Sequence, residues 1–405
     1  MTKEACLAIL DIGTAKTVAL VLRAGEETEP YILGSGLSAT VGLQRGKIVD
    51  QQSIAASIRS ALRQAEENAG CRADDLFCAV SGAEVKILFN RGSTANGKEN
   101  KTIQQEDVDR AFVASKVLAV DSGQEVIHAV PQRFYVDGQA VSDIVSQQGL
   151  RLEVDTAIVA GAARELSELA DIINNLGTAS LKGWVYGGSA MASCSLSAEE
   201  QKQPVLLMDL GAGTVDVTLV CRQQPYYAAM LPIAGNHLTG DLSIGLGIGL
   251  DQAEQLKTDY GTAMADMSKA KNTASFSDIK PNIPRPMIAE IIEARLQEIF
   301  TLIKDDIRRA GYQIPASVVI YGGTAELTGI GQMLNRLWGA SVRIATPPKV
   351  KGLPVNFYSP AFTNVAAISI FAASEMEYPL KNQRKNKQQD FFARFSRLWQ
   401  SFSGR

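Results

Sequence analysis

Apolar residues in this chain come in short β-branched blocks that stop at Asp, Gly or Thr, separated by longer stretches with helical spacing. The first blocks predict a hairpin over 6–23 and a third strand over 31–37. Asp50 then stands as an N-cap before Ile54, Ile58, Ala61, Leu62 and Ala65, which share one helical face. Leu76-Phe77-Cys78-Ala79-Val80 reads as a short buried strand. Residues 84–158 change texture: a strand, a polar loop over 90–101, a helix over 104–117, and strands around 126–136 and 150–158. A helix over 163–176 stops at Gly177, a strand over 182–186 follows, and another helix begins near Gly188. Polar residues 197–203 read as a hinge into a second half that opens with a hairpin over 205–221. Helical spacing resumes after Gly235-Asn236. Pro281, Pro284 and Pro286 mark a loop before a long amphipathic helix over 288–310. A strand over 317–321 ends in Gly322-Gly323-Thr324, and residues 361–374 form a last core helix.

The two hairpins carry one device twice. Leu10-Asp11-Ile12-Gly13-Thr14-Ala15-Lys16 and Met208-Asp209-Leu210-Gly211-Ala212-Gly213-Thr214 each join an apolar strand ending in Asp to a Gly-containing turn bearing a hydroxyl. Such turns expose backbone N–H groups and let phosphate approach closely. An Asp at the strand end suits a hydrated Mg²⁺ beside those phosphates. Two copies in two halves point to a duplicated fold that grips a nucleotide from both sides.

Charge separates the tail from the body. The net charge of 405 residues is −3, but residues 381–405 hold seven basic side chains and one acid, which leaves the body at −9. An acidic body is a poor nucleic-acid binder, while the basic end suits an anionic partner. Beyond Pro379 a polar linker, 381–389, leads to Phe391, Phe392, Phe395, Leu398, Trp399 and Phe402, which share one helical face, with Arg394, Arg397 and Ser401 on the other. That stripe predicts an amphipathic membrane-surface helix over 390–405. Five cysteines (6, 71, 78, 194 and 221) without a CxxC pair read as free buried thiols of a reducing cytosol, and His128 and His237 show no metal-ligand spacing. No signal peptide and no run long enough to span a bilayer is seen.

The three strand–Gly turns at 10–16, 208–214 and 318–324 follow the order of the actin superfamily, which includes sugar kinases and DnaK-type chaperones. With Arg45-Gly46-Lys47-Ile48-Val49-Asp50, Ala79-Val80-Ser81-Gly82, His128-Ala129-Val130-Pro131-Gln132 and Ala234-Gly235-Asn236, the inserted segment and the tail, the chain resembles the FtsA family of bacterial cell-division proteins over its whole length. The resemblance implies an α/β, actin-like, two-lobed duplicated fold. Residues 1–83 and 159–203 would form the first lobe. Residues 204–231 and 313–378 would form the second, with 232–312 as its smaller subdomain. Residues 84–158 would be an inserted subdomain replacing an actin subdomain, and a linker, 379–389, would precede the C-terminal helix. It implies ATP and Mg²⁺ as cofactors. Asp11 and Asp209 would serve the metal and the attacking water. Gly13, Thr14, Ala15, Lys16, Gly211, Ala212, Gly213 and Thr214 would cradle phosphates. Gly235, Glu254, Lys257, Gly322, Gly323 and Thr324 would meet the adenosine. It also implies self-assembly into filaments on the inner face of the cytoplasmic membrane at the division site, FtsZ as a partner through a surface including Arg295, and other division proteins through 84–158.

One departure bears on chemistry. Briskly hydrolysing relatives in the superfamily carry Glu or Gln near the connecting strand–helix turn, whereas here it reads Trp184-Val185-Tyr186-Gly187-Gly188-Ser189-Ala190. Orienting the attacking water is a large part of phosphoryl transfer, so slow turnover is expected. Two other readings use the same fold. A small-molecule kinase needs an acidic base for its acceptor, and no candidate pair is seen. A pilus-assembly adaptor of the PilM kind needs no amphipathic tail.

Overall fold

The computed structural model describes residues 5–25, 28–81, 85–95, 102–117, 120–141, 144, 147–268 and 283–376. The linker and amphipathic segment expected over 379–405 therefore lie outside the described residues. The chain divides into two compact units, Met1–Lys86 with Glu165–Ala372, and a second built on Ile87–Arg164.

In chain order the first unit opens with β1 (Ala5–Ile12), β2 (Lys16–Gly25) and β3 (Thr28–Ala39), then the short β4 (Leu43–Gln44) and β5 (Lys47–Ile48), and α1 (Gln51–Ala69). Asp50 caps α1 as its sequence demands: the carboxylate accepts from Gln52 N at 2.9 Å and Ser53 N at 3.2 Å. Ile54, Ile58, Ala61, Leu62 and Ala65 form the buried face. β6 (Asp75–Val80) completes this stretch.

The second unit holds β7 (Lys86–Ala95), α2 (Gln105–Val117), β8 (Gln124–Val136), β9 (Gln139–Val141) and β10 (Arg151–Ala162). Its sheet runs β7-β10-β8-β9. Ile103, Val108, Ala111, Phe134, Val136, Ile144, Leu152 and Val154 are its core. The loop expected from residue 90 is instead strand as far as Ala95. Arg91 is held there by two bonds to Asp155, 2.5 and 2.8 Å, and stacks over Tyr135, so partners distant in sequence give a polar stretch its extended form.

The first unit resumes with α3 (Ala163–Asn174), β11 (Ser180–Tyr186) and α4 (Gly187–Cys194). Then come β12 (Val205–Leu210), β13 (Val215–Cys221), β14 (Gln224–Leu231), α5 (Gly235–Leu246), α6 (Leu250–Tyr260), α7 (Ala265–Ser268), α8 (Arg285–Arg309), β15 (Ser317–Tyr321), α9 (Ile330–Trp338), β16 (Ser341–Ile344) and α10 (Thr363–Met376). Helix α8 starts before Pro286, which was expected in the preceding loop. A proline in the first turn loses no helical hydrogen bond, because that N–H has no partner inside the helix.

Two five-stranded sheets result, ordered β11-β6-β1-β2-β3 and β14-β13-β12-β15-β16. They repeat one pattern: the first strand of each set pairs antiparallel with the next and parallel with the fourth. Leu7–Leu10 and Val205–Met208 are fully buried, as central strands covered on both faces require. The expected hinge is a short 3-10 turn, Glu200–Lys202, clamped by Arg343 of β16, which donates to both Glu200 oxygens (2.7 and 2.8 Å) and to Ser195 O (2.7 Å).

The thiols are less buried than expected. Cys78 alone among them is buried, while Cys6, Cys71, Cys194 and Cys221 are partly exposed. Cys6 and Cys71 lie with their Sγ atoms 2.6 Å apart, and burial, then Cys6, pushes the Cys71 thiol up to about 11.

Candidate nucleotide site

The two turns close identically. Gly13 N donates to Lys16 O at 2.9 Å, and Gly211 N donates to Thr214 O at 3.0 Å. Each turn brings a strand-end Asp to the same place, and the register pairs Asp11 with Val18 and Asp209 with Asp216. The tips meet: a Cβ added to Gly213 would stand 2.4 Å from Thr14 Oγ1. Only glycine lets the second turn approach the first so closely.

The second turn is gripped from behind. Gly235 N donates to Gly211 O (3.2 Å), Asn236 N to Ala212 O (2.7 Å) and Thr324 Oγ1 to Gly211 O (2.7 Å). Gly322, at φ +91°, donates its N–H to Pro360 O at 2.9 Å, and a Cβ there would come within 2.3 Å of Asp209 Oδ1. Gly323 and Thr324 continue from it into a single 3-10 turn. The structure thus gathers Gly235 and Thr324 against the second turn, Gly211 to Thr214, and sets Gly322 against Asp209.

Glu254 and Lys257 form an ion pair at 2.6 Å, but the lysine is not the solvated partner that i,i+3 spacing suggests. It is buried, and its Nζ also donates to Thr239 Oγ1 (2.9 Å) and Gly235 O (3.2 Å), pinning the start of α5. Arg295 on α8 is engaged as well. It bonds both oxygens of Asp241, at 2.5 and 2.9 Å, and Glu298 at 2.5 Å.

Charge in the site is unbalanced. Burial raises the Asp11 carboxyl, with the Asn364 hydrogen bond and Lys16 pulling it back. Burial likewise raises Asp209 well above the ordinary carboxylate range, and Asp216 and Asp11 raise it further. Lys16, lowered by burial and held up by Asp11, Glu326 and Asp209, lies with Nζ 4.2 Å from the centre of the Phe362 ring. Crowded carboxylates that resist ionisation make a place for a hard cation, whose charge relieves them. Among the described residues no three His, Cys, Asp or Glu side chains come together to ligate a metal directly, so a divalent cation here would be reached by these carboxylates through its water.

Sequence reasoning missed Asp216, Phe362 and Asn364. Asn364 had a signal, a polar amide at the start of an otherwise apolar helix, Val365-Ala366-Ala367-Ile368.

The duplicated sheets are those of known structures. The PilM–PilN type IV pilus biogenesis complex contains a chain that superposes with a TM-score of 0.60 at 16% identity, covering 91% of this chain and 98% of that one. MreB5 of Spiroplasma citri bound to ADP gives 0.52 at 14% identity, covering 93% and 99%. The fold is that of an actin-like protein. A family model described as "Cell division protein FtsA" matches residues 206–367, and one described as "SHS2 domain inserted in FTSA" matches residues 82–160. The cell division protein FtsA of Bacillus subtilis (strain 168) is 31% identical over 346 residues, covering 84% of this chain and 78% of that protein. That of Pseudomonas aeruginosa is 28% identical over 369 residues, covering 89% and 88%. The chain belongs to the FtsA family of cell division proteins.

Proposed function

We propose that this chain is an ATP-binding, actin-like division protein that polymerises on the inner face of the cytoplasmic membrane and tethers FtsZ there. The observation that carries the nucleotide part is the pair of opposed hairpin turns with Asp11 and Asp209 at their bases. Residues of the turns, with Lys16, would hold phosphate oxygens through N–H groups and one ammonium. Asp11 and Asp209 would hold Mg²⁺ through its water shell, which suits carboxylates that burial has left hard to ionise. Bound Mg²⁺ supplies charge neutralisation at the phosphates.

The membrane part rests on the apolar stripe of residues 391–402 and the basic linker before it. Among the described residues no helix is long and apolar enough to cross a membrane. The inserted domain would supply the filament contact and bind other division proteins. Arg295, already fixed by Asp241 and Glu298, would present a rigid charged surface to FtsZ.

Co-sedimentation of the full chain with FtsZ and anionic vesicles, with ATP and Mg²⁺, tests the whole reading. Binding of FtsZ to vesicles only when the intact chain is present is the expected result. Vesicle-bound FtsZ with a chain lacking residues 390–405 would overturn the tethering role.

A further inference from the structure

Water must be oriented for a phosphoryl group to be hydrolysed, and the turn from Trp184 to Ala190 carries no carboxylate or amide to do it. The fold brings an amide to that turn from elsewhere. Asn364, the second residue of α10, is buried, and its Nδ2 donates to Asp11 Oδ2 at 3.3 Å. Its other end, Oδ1, is buried and accepts no hydrogen bond from the described residues. The same Oδ1 occupies the space that a side chain at Gly187 would need, since a Cβ there would lie 2.5 Å from it. The first residue of α4 is thus glycine where the Asn364 amide must fit.

A buried acceptor without a partner is disfavoured and rare, so its retention calls for a donor that the protein itself does not supply. An amide is also two-ended. Its N–H₂ suits an ionised carboxylate, and its oxygen suits the O–H of water. We propose that Asn364 is a positioning residue for ATP hydrolysis: Nδ2 orients the Asp11 carboxylate while Oδ1 holds the attacking water beside it. This deepens the nucleotide reading and rests on it. In the reaction the water oxygen forms the new bond to phosphorus as the bond to the ADP oxygen breaks. The electron pair of that bond leaves with ADP, and one water proton is released with the phosphate product.

The test compares Asn364→Ala with Asn364→Ser in the full-length chain. Serine and alanine differ little in size, so a packing role treats them alike. A serine hydroxyl can both donate to Asp11 and accept from water, so a positioning role separates them. Single-turnover hydrolysis of ATP-Mg²⁺ should fall about tenfold to a hundredfold in Asn364→Ala and recover at least about threefold in Asn364→Ser. Calorimetric ATP affinity should stay within about threefold of the parent in both. Equal rates in the two variants, an unchanged rate in Asn364→Ala, or affinity falling in step with rate would each overturn the inference. A second readout needs no nucleotide: a crystal structure of the parent should show an ordered water about 2.6–3.2 Å from Asn364 Oδ1, and a dry Oδ1 would overturn it. Failure of the nucleotide reading looks different, because the parent itself would then give no heat of ATP binding.

Discussion

Thr14 and Gly213 face each other across the tips of two hairpins, so close that a Cβ on Gly213 would sit 2.4 Å from the threonine hydroxyl. The contact joins the halves of one compact unit where both turns present their backbone. Gly213→Asp puts a carboxylate at that point, against the anionic oxygens the turns are proposed to hold. Like charges in contact cost several kcal/mol, so ATP affinity measured by calorimetry should fall about a hundredfold or more. Affinity equal to the parent's would show that the phosphates lie elsewhere.

Asp209 makes a stability prediction of opposite sign to its functional one. Its carboxyl is raised above the ordinary range in the folded chain by burial and by Asp216 and Asp11. A raised carboxyl adds stability while protonated and loses that contribution as pH rises through its folded value. Above the ordinary carboxylate range the nucleotide-free protein therefore bears a stability cost at Asp209. Asp209→Asn should raise the melting temperature of the nucleotide-free protein at pH 7 by roughly 2 °C or more, with a smaller gain in acid, while Mg²⁺-dependent ATP binding is lost. Scanning calorimetry across pH, with and without ATP-Mg²⁺, reads both effects.

In the inserted domain His128 pairs with Val159 across β8 and β10, and burial lowers its imidazole to about 4. A lowered histidine contributes stability in full above its unfolded value, about 6.5, and loses it as pH falls toward the folded one. The β8–β10 amides should lose hydrogen-exchange protection between about pH 6.5 and 4. His128→Gln should flatten that loss. An unchanged pH profile in the variant would assign the acid sensitivity to other groups.

Arg343 ties the turn at Glu200 to β16 through three hydrogen bonds, two of them to the carboxylate. Burial raises Glu200, but the Arg343 bonds and the Ser197 N–H outweigh it and leave the carboxyl below its usual value. That stability is present above the ordinary carboxylate range and disappears as pH falls through the lowered value. Because the arginine is 39% exposed, Arg343→Ala should cost only about 1 kcal/mol. Limited proteolysis should show faster cutting within residues 196–204, and cutting at the parental rate would remove the clamp from the account.

The amphipathic segment allows a quantitative test. Six large apolar side chains, 391, 392, 395, 398, 399 and 402, have the spacing that would place them on one face of a helix. Burying each fully is worth about 1.5–3 kcal/mol, of which an interface delivers part. Arg394, Arg397 and the linker cations add about 1 kcal/mol each near anionic lipid. Ordering fourteen or so residues costs about 1–2 kcal/mol apiece. On the proposed reading one copy would be a reversible anchor, and a filament presenting many copies would hold by effective concentration. Phe395→Glu with Trp399→Glu should abolish vesicle flotation and leave ATP affinity intact. Raised salt should weaken the parent only partly, because the apolar contribution survives screening. Flotation of the double variant would place the anchor elsewhere.

Local signals made most of the architecture legible. The Asp50 cap and the paired hairpins depend on neighbouring residues, and they stand where the pattern put them. What escaped depends on partners far along the chain. Residues 90–95 read as loop because Asn90 and Gly92 are poor strand formers, and pairing with β10 together with contacts to Asp155, Tyr135 and Ser115 makes them strand. The bonds of Lys257 to Gly235 and Thr239 could not be read locally, because those acceptors on α5 are distant in sequence. Asn364 looked like one polar residue in a core helix, since nothing near it shows that Asp11 and Gly187 lie against it.

The two sheets repeat one strand order, so the Asp11–Val18 and Asp209–Asp216 pairs occupy equivalent positions. Two identical half-length chains meeting across a twofold axis would have to repeat every charge on both sides. A single continuous chain is free of that rule. It sets an ammonium, Lys16, on one side and an extra carboxylate, Asp216, on the other. The internal symmetry is thereby broken electrically while the backbone keeps it, which gives an asymmetric guest one preferred way round.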